Sequence, residues 1–262
     1  MKRLCFIVFG CSILALMTSA SGCKDKKETT VPPAAPQEVK AQAEPAPQPQ
    51  EKLTLPVPDP KPKNARVRVK TKFGDMVIRL YDETPGHRDN FLMLVENKFY
   101  DGLLFHRCIP KFMVQGGDPD SRGAAPARQL GGGGPGYTVP AEFNPNLIHK
   151  KGALSAARQG DQVNPQRASS GSQFYLVQGQ PLNDMQISQT ESYVAQKMPG
   201  FKYTEDQKKI YRTIGGTPQL DMDYTVYGEV IEGLSIIDSI AAQPTTRDRP
   251  LQDVIMNMEV IR

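Results

Sequence analysis

Phe105 to Asp118 reads F-H-R-C-I-P-K-F-M-V-Q-G-G-D, and this segment carries the strongest fold signal in the chain. Short apolar runs stand on both sides of Arg107, a proline interrupts them, and two glycines close the segment. This pattern favours two short strands joined by a turn over a helix. It predicts that Arg107 projects from a sheet beside Phe112 and Met113. A lone arginine is more often a surface charge that pairs with a carboxylate, so its role depends on the segments around it.

Two later segments add polar and aromatic side chains. Residues 171–178 read G-S-Q-F-Y-L-V-Q, and the period of two in a strand places Gln173 and Tyr175 on one face. Residues 220–230 read L-D-M-D-Y-T-V-Y-G-E-V. With the first segment, and in this order, they resemble the cyclophilin family of peptidyl-prolyl cis-trans isomerases. The resemblance covers roughly residues 65 to 262, and it is specific because F-H-R and F-M-V-Q-G-G-D fix many positions over a short window.

The resemblance implies a mainly β fold, namely a closed eight-stranded antiparallel barrel with two capping helices and no exposed sheet edges. The residue pattern agrees, since many short strands are predicted with only two main helices. An alternating stretch from Val67 onward predicts a hairpin with one apolar face. Thr84 and Pro85 are expected to begin the first helix, which ends near Lys98, and residues 233–241 are expected to form the second.

Residues 180–218 depart from a minimal cyclophilin, which joins the flanking blocks by a short connection. Two reciprocal capping boxes, Ser188-x-x-Glu191 and Thr204-x-x-Gln207, predict two helix starts in this helical insertion. Because the insertion connects two segments that the family uses to line its groove, it either shapes one rim of that groove or is a passive surface excursion.

The resemblance also implies a reaction without bond cleavage. Resonance gives the amide bond before a proline partial double-bond character, with a rotation barrier of about 18 to 20 kcal/mol. A guanidinium directed at the prolyl nitrogen as it pyramidalises stabilises the twisted state selectively, and Arg107 is the candidate for this catalytic role. Two of the matching positions are expected to pair with an extended peptide through their backbone. The substrate-binding positions implied by the family are Phe112, Met113, Gln115, Ala157, Arg158, Gln173, Tyr175, Leu220 and Tyr224, of which Ala157 and Arg158 are the two that act through the backbone.

Four positions depart from the best-known eukaryotic cyclophilins. Tyr175 stands where phenylalanine is usual, and Arg158 replaces an asparagine. Tyr224 replaces a histidine, and Gln219 takes the place of a tryptophan. Catalysis is expected to survive these changes, because Arg107 is retained. The resemblance implies no cofactor, and the scattered histidines make no Cys-His or Glu-His spacing that would predict a zinc site.

The first 64 residues differ in composition from the rest. Met1-Lys2-Arg3, a short apolar run and small residues leading to Cys23 form the layout of a secretory signal, and its end resembles a bacterial lipobox. We expect residues 1–22 to be a lipoprotein signal peptide and residues 23–64 to be a lipidated N-terminus and a disordered linker rich in Pro, Ala and Gln. Residues 65–262 then form the isomerase domain. The alternative is an ordinary secretory signal cut near Ala20.

Together these features predict a membrane-tethered prolyl isomerase of the bacterial cell envelope, with its domain outside the cytoplasm on the periplasmic side. Its substrates would be X-Pro bonds in unfolded or extended exported proteins. The alternative is a chaperone or scaffold module that binds proline peptides, with isomerisation incidental. A net charge of +4 with interleaved signs lacks the basic stripe of a nucleic-acid binder. Cys108 would be the one cysteine left with a free thiol, so no intrachain disulfide is predicted, and a monomer is expected.

Overall fold

Thirteen strands and four α-helices are formed by residues 63–126 and 128–261, the parts of the chain that this computed structural model describes. The strands are β1 (Arg66–Thr71), β2 (Gly74–Leu80), β3 (Leu103–Leu104), β4 (Arg107–Ile109), β5 (Met113–Gly116), β6 (Thr138–Val139), β7 (Ala153–Ala156), β8 (Ser169–Ser170), β9 (Phe174–Val177), β10 (Val226–Glu232), β11 (Thr245–Thr246), β12 (Arg249–Pro250) and β13 (Ile255–Ile261). The helices are α1 (Pro85–Glu96), α2 (Asp184–Lys197), α3 (Glu205–Thr213) and α4 (Leu234–Ala241). The predicted signal peptide, Cys23 and the predicted linker up to residue 62 lie outside the described residues.

Nine of the strands form one curled antiparallel sheet, in the order β3-β13-β1-β2-β10-β7-β9-β5-β4. The prediction of a mainly β, antiparallel fold is therefore confirmed. The closed eight-stranded barrel is not seen in that form, because the edge strands β3 and β4 are not paired with each other. The chain changes partner between them: the Phe105 N–H donates to the Val254 carbonyl, and the His106 N–H donates to the Gln115 carbonyl.

The predicted first hairpin shows how alternation builds the core. Val67 and Val69 of β1 are fully buried, whereas the charged residues between and beside them reach solvent. Val69 lies opposite Met258 of β13 on one side and Met76 of β2 on the other. Because successive side chains of a strand point to opposite faces, this register places an apolar layer on the inner face of the sheet.

Helices α1 and α4 are the two capping helices that the sequence predicted, and both contribute to the main core. Pro85 occupies the first turn of α1, as expected, because it has no N–H to leave unpaired there. The neighbouring Thr84 makes no side-chain cap, although its hydroxyl is buried, so the capping role expected for it is not seen. Helix α4 follows Gly233, whose φ of 77° suits glycine. None of the described helices has the length and apolar character needed to span a bilayer.

Residues 180–218 fold into α2 and α3 around a small apolar cluster of their own. The predicted start of α3 is confirmed. The Gln207 N–H donates to Thr204 Oγ1, and the Thr204 N–H donates to Gln207 Oε1, so each residue satisfies a backbone donor of the other. The cluster gathers apolar and aromatic residues from the insertion and from the segment before β7: Ile148, Ile187, Val194, Phe201, Tyr203 and Tyr211.

The helix start predicted at Ser188 is wrong. Helix α2 begins earlier, with a capping box between Asn183 and Gln186, so Ser188 lies inside the helix. Glu191, the expected box partner of Ser188, accepts a hydrogen bond from the Tyr203 N–H at 2.8 Å instead. Both pairs have the spacing of a capping box, and tertiary contact of the segment after α2 with Glu191 favours the earlier start.

Asn183→Ala is expected to lower the free energy of unfolding by about 1 kcal/mol, since it removes the oxygen that pairs with a free N–H at the start of α2. Ser188→Ala is the matched control. Ser188 is exposed inside the helix, so its replacement is expected to be neutral or slightly stabilising. Denaturant unfolding followed by circular dichroism measures both changes. A larger loss at Ser188 than at Asn183 would contradict this helix start.

Candidate functional site

One cavity of about 150 Å³ gathers nearly all of the predicted site residues. Gln173 is the exception, because it lies behind Gln115 and bonds to its side chain. The residues that line the cavity are Arg107, Phe112, Met113, Gln115, Ala157, Arg158, Tyr175, Leu220 and Tyr224. Four separate segments of the sequence thus meet at one place on the sheet.

Strand register explains why Arg107, Gln115 and Tyr175 share this cavity. Arg107 of β4 lies opposite Gln115 of β5, and Gln115 lies opposite Tyr175 of β9. Residues directly opposite each other in antiparallel strands point to the same face. The three side chains therefore form a row across adjacent strands.

A relay of hydrogen bonds orients Arg107. Its Nη1 donates to Gln115 Oε1 at 3.3 Å, and Gln115 Nε2 donates to Gln173 Oε1 at 3.0 Å. Gln173 Nε2 then donates to the carbonyls of Gly131 at 3.0 Å and Gly133 at 2.7 Å. Because carbonyls only accept, they fix which end of each amide faces the next residue. The relay leaves an oxygen, rather than an NH₂ group, facing the guanidinium.

The glycine-rich segment at residues 131–136 serves this relay. The Gly131 and Gly133 N–H groups donate to the carboxylate of the fully buried Asp118, while their carbonyls accept from Gln173. A side chain at Gly133 would lie 2.2 Å from Asp118 Oδ1, so only glycine fits. The loop is held from the inside by polar contacts that run toward Arg107.

Arg107 has a second anchor on the side away from the relay. Its Nε donates to Asp248 Oδ2 at 3.4 Å, and 44% of its side chain is exposed. Sequence reasoning missed Asp248, because it lies in the short turn between β11 and β12 and is far from Arg107 in the chain. No local sequence pattern predicts a contact between residues that are 141 positions apart. The described contacts leave Nη2 of Arg107 uncommitted.

The far wall of the cavity is aromatic and rigid. The rings of Tyr175 and Tyr224 meet edge to face with centroids 6.0 Å apart. The Arg158 guanidinium lies 4.6 Å from the centre of the Tyr224 ring, and its Nε donates to the Asp223 carbonyl at 2.8 Å. Arg158 therefore packs in the cavity wall, where its guanidinium interacts with the Tyr224 ring and the Asp223 carbonyl. It does not extend into the cavity mouth as a free cation.

The backbone positions expected to pair with a peptide differ from each other. The Ala157 N–H donates to the Gln173 carbonyl at 3.0 Å, and the Ala157 carbonyl accepts from the Ser170 N–H at 2.8 Å. The N–H and C=O of Arg158 take part in no backbone hydrogen bond among the described residues. Arg158 is thus the position that can still accept an added strand.

His106 immediately precedes Arg107 and is a packed residue. It is 4% exposed, and neither ring nitrogen has a hydrogen-bond partner among the described residues. Burial lowers the pKa of His106 to about 4, so its ring is neutral at neutral pH and adds no charge beside Arg107. The neighbouring Cys108 is a buried free thiol, and burial raises its pKa to about 12. Both residues are therefore buried side chains that pack inside the domain, Cys108 on β4 and His106 just before it.

A second and larger cavity of about 770 Å³ adjoins Arg107 on the Asp248 side. Besides Arg107, its lining is formed by residue 126, residues 128–131, residues 246–251 and residue 253, with His106 and Gln115 on the side of the sheet. No pattern in the sequence indicates this cavity, because its walls are loops and two-residue strands without periodicity. Across residues 63–126 and 128–261, no three His, Cys, Asp or Glu side chains are grouped so as to hold a metal ion.

Known proteins resemble the chain over most of this domain. The family model described as cyclophilin-type peptidyl-prolyl cis-trans isomerase/CLD matches residues 66–260. A protein of Staphylococcus haemolyticus named as a peptidyl-prolyl cis-trans isomerase is 36% identical over 188 residues, covering 71% of this chain and 85% of that protein. A protein of Staphylococcus saprophyticus with the same name is 37% identical over 196 residues, covering 73% and 89%.

Solved structures show the same fold. A cyclophilin-type peptidyl-prolyl cis-trans isomerase of Cryptosporidium parvum has a TM-score of 0.54 and 23% identity, and the match covers 76% of this chain and 98% of that one. A structure of that protein obtained in the presence of the dipeptide Ala-Pro has a TM-score of 0.54 and 22% identity, covering 75% and 99%. The family model, the identity to the staphylococcal proteins and the shared fold agree, and the chain belongs to the cyclophilin-type peptidyl-prolyl cis-trans isomerases.

Proposed function

We propose that this prolyl isomerase works outside the cytoplasm of a bacterium, tethered by a lipid on Cys23, and assists the folding of exported proteins. The observation that carries the proposal is the N-terminal sequence, in which a basic start, a short apolar run and small residues lead into Cys23. Sequence rich in Pro, Ala and Gln follows, and at about 3.1 Å per residue it would let the domain reach up to roughly 100 Å from the membrane.

Mass spectrometry of the mature protein, purified from a bacterial membrane fraction, tests the anchor. The expected product begins at Cys23 and carries the mass of attached acyl chains. Cys23→Ser is the control, and it is expected to release the isomerase activity from the membrane fraction. An unmodified chain that begins just after Ala20 would contradict the anchor while leaving secretion in place.

We infer that the cavity of about 150 Å³ receives the substrate proline ring and that Arg107 acts on the amide nitrogen. Phe112, Met113, Tyr175 and Leu220 provide the apolar lining that fixes the ring while the rest of the amide turns. The relay through Gln115 and Gln173 holds Arg107 at the mouth, where its Nη2 can reach the prolyl nitrogen. A guanidinium there stabilises the twisted amide more than either planar form, which is the condition for catalysis.

The substrates we infer are exposed X-Pro segments in extended conformation. The free N–H and C=O of Arg158 would pair with the peptide backbone beside the proline, as in addition of a short strand. Such contacts read backbone shape more than side-chain identity, which suits many unfolded clients. The relative obtained in the presence of Ala-Pro supports a proline dipeptide as the minimal probe.

We also infer that β3 and β4 behave as one bent strand, which would reduce the count to eight and close the barrel. The Phe105 N–H pairs with Val254 at 2.9 Å and the His106 N–H pairs with Gln115 at 3.0 Å, so hydrogen bonding continues across the bend. Slow hydrogen exchange at both amides, comparable to that of the sheet interior, is expected. Fast exchange at both would favour an open sheet.

Gln173→Leu is expected to lower kcat/KM about 10-fold, because Gln115 loses its acceptor and Arg107 loses its fixed direction. A neutral hydrogen bond contributes about 0.5 to 1.5 kcal/mol, and about 1.4 kcal/mol corresponds to a 10-fold change. Gln189→Leu is the matched control, since Gln189 is exposed on α2 and forms no part of the relay. A protease-coupled proline-peptide assay measures both. A folded Gln173→Leu variant with unchanged kcat/KM would show that the relay does not orient Arg107.

A further inference from the structure

A chain of buried polar groups runs beneath the proline pocket. The Tyr175 hydroxyl lies 3.0 Å from His149 Nε2, and His149 Nδ1 lies 2.7 Å from Asp221 Oδ1. Because the carboxylate can only accept, the proton between this pair belongs on Nδ1. His149 is fully buried, and Tyr175 and Asp221 are 4% and 2% exposed, so no solvent competes for these bonds.

The other end of the chain belongs to the helical insertion. The hydroxyls of Tyr203 and Tyr211 both donate to Asp221 Oδ2, each at 2.6 Å. Asp221 Oδ1 also accepts from the His149 N–H at 2.8 Å. Four donors therefore surround one buried carboxylate, which offsets the large cost of removing its charge from water. Burial raises the pKa of both tyrosines, and the Asp221 charge raises it further, so both remain donors.

The backbone is locked at the same place. Gly216, at the end of the insertion, forms bridges with Lys150 and Gln180, and the Thr217 N–H donates to the His149 carbonyl at 2.8 Å. A side chain at Gly216 would lie 2.2 Å from that carbonyl, so this approach requires glycine. The insertion is thus held against the residue whose ring touches Tyr175, with ring planes 13° apart.

Tyr175 is the pocket residue that stands where phenylalanine is usual, and its hydroxyl bonds to the buried His149. Phenylalanine at position 175 would fill the same apolar lining but could not bond to His149. The Tyr175 oxygen links the pocket floor, through His149 and Asp221, to the insertion that a minimal cyclophilin lacks. Tyr175 and the insertion both differ from a minimal cyclophilin, and the same series of hydrogen bonds connects them. This connection indicates that the two features act together.

We propose that the insertion positions the floor of the proline pocket through this chain, with Tyr203, Tyr211, Asp221 and His149 acting as positioning residues for the Tyr175 ring. A ring held in its bound orientation loses less freedom when proline enters, so the chain raises affinity for proline peptides. The contact is equal for the planar and twisted amide, so its loss is expected in KM and Kd rather than in kcat. The inference rests on the isomerase function of the groove.

The test is a set of double variants in the full-length protein. Tyr211→Phe and Tyr203→Phe are each expected to raise KM and the Kd for an Ala-Pro-containing peptide about 5-fold, with kcat changed little. In a Tyr175→Phe background, which already lacks the link, neither change is expected to add a further increase. Tyr193→Phe is the matched control. Tyr193 is an exposed residue of α2, and its hydroxyl takes no part in the hydrogen bonds that link Tyr175 to the insertion.

Two results would overturn the proposal. One is the same fold-increase in Kd for Tyr211→Phe with and without Tyr175→Phe, because that would mark a general structural effect. The other is no change in Kd for either tyrosine variant in the wild-type background. Peptide Kd is measured directly by calorimetry, so an inactive wild-type protein would contradict the isomerase function while this coupling is still tested. Melting temperatures of all variants identify any that fail to fold, and Tyr203→Phe then replaces Tyr211→Phe.

Discussion

Arg107→Ala is expected to lower kcat/KM for an X-Pro peptide by about 100-fold or more, the loss typical of removing one directed donor to a transition state. Its Kd for the same peptide is expected to change far less. The apolar cavity of Phe112, Met113 and Tyr175 remains in the variant. We propose that this cavity receives the proline ring, and an apolar lining would hold the ring equally well in both planar forms. The expected loss therefore falls on kcat, because the guanidinium acts only as the amide twists.

Two further variants make this expectation specific. Arg107→Lys keeps the charge but loses the planar fork that bonds Gln115 and Asp248, so most of the loss is expected to remain. Arg68→Ala is the matched control, because Arg68 has a similar exposed fraction, 41%, and likewise pairs with carboxylates. It lies on β1, away from the cavity, and is expected to leave kcat/KM unchanged. Full activity in Arg107→Ala would contradict the proposed mechanism.

Gly117→Ala is expected to lower the free energy of unfolding by at least about 3 kcal/mol, since it combines backbone strain with an atomic clash. Gly117 has a φ of +89°, and an added Cβ would lie 2.2 Å from the Ser172 carbonyl oxygen and 3.0 Å from Gln173 Cα. Relief of this clash has to move the backbone that carries Gln173. Activity of the folded fraction is therefore expected to fall along with stability.

Gly123→Ala separates the two causes. Gly123 also has a positive φ, +62°, but an added Cβ would meet no atom within 4 Å. Its replacement is expected to cost about 1 kcal/mol, the strain of a left-handed backbone alone. Thermal unfolding by calorimetry measures both variants. Equal losses at the two positions would show that the approach of Gly117 to Ser172 is not a tight contact.

Gln173 and Tyr175 could be placed on one strand face from the sequence, because strand periodicity is a local property that survives folding, and the family resemblance placed Arg107 and Gln115 at the same site. Their neighbours in space could not. Asp248 and His149 reach the site from segments that carry no repeating pattern, and only the folded arrangement of distant segments brings them close. The contacts that could not be predicted are those that depend on how distant segments of the chain come together in the fold.

The helix starts illustrate a second limit. Thr204 and Ser188 both begin a capping-box pattern, yet only Thr204 caps a helix. Asn183 caps the same helix about one turn earlier, and Glu191, the expected partner of Ser188, accepts a hydrogen bond from the Tyr203 N–H instead. A local motif therefore predicts that a helix lies near it, while tertiary contacts select which of two equivalent residues begins it.

Exchange NMR on an Ala-Pro-containing peptide tests the central claim most directly, because it follows the cis and trans forms of the substrate themselves. With the wild-type protein at a small fraction of the peptide concentration, we expect cross-peaks between the two forms that vanish with Arg107→Ala. Cross-peaks of equal strength with both proteins would contradict the role of Arg107. Binding of the peptide by the wild-type protein without any cross-peaks would contradict isomerisation itself and leave a proline-binding module.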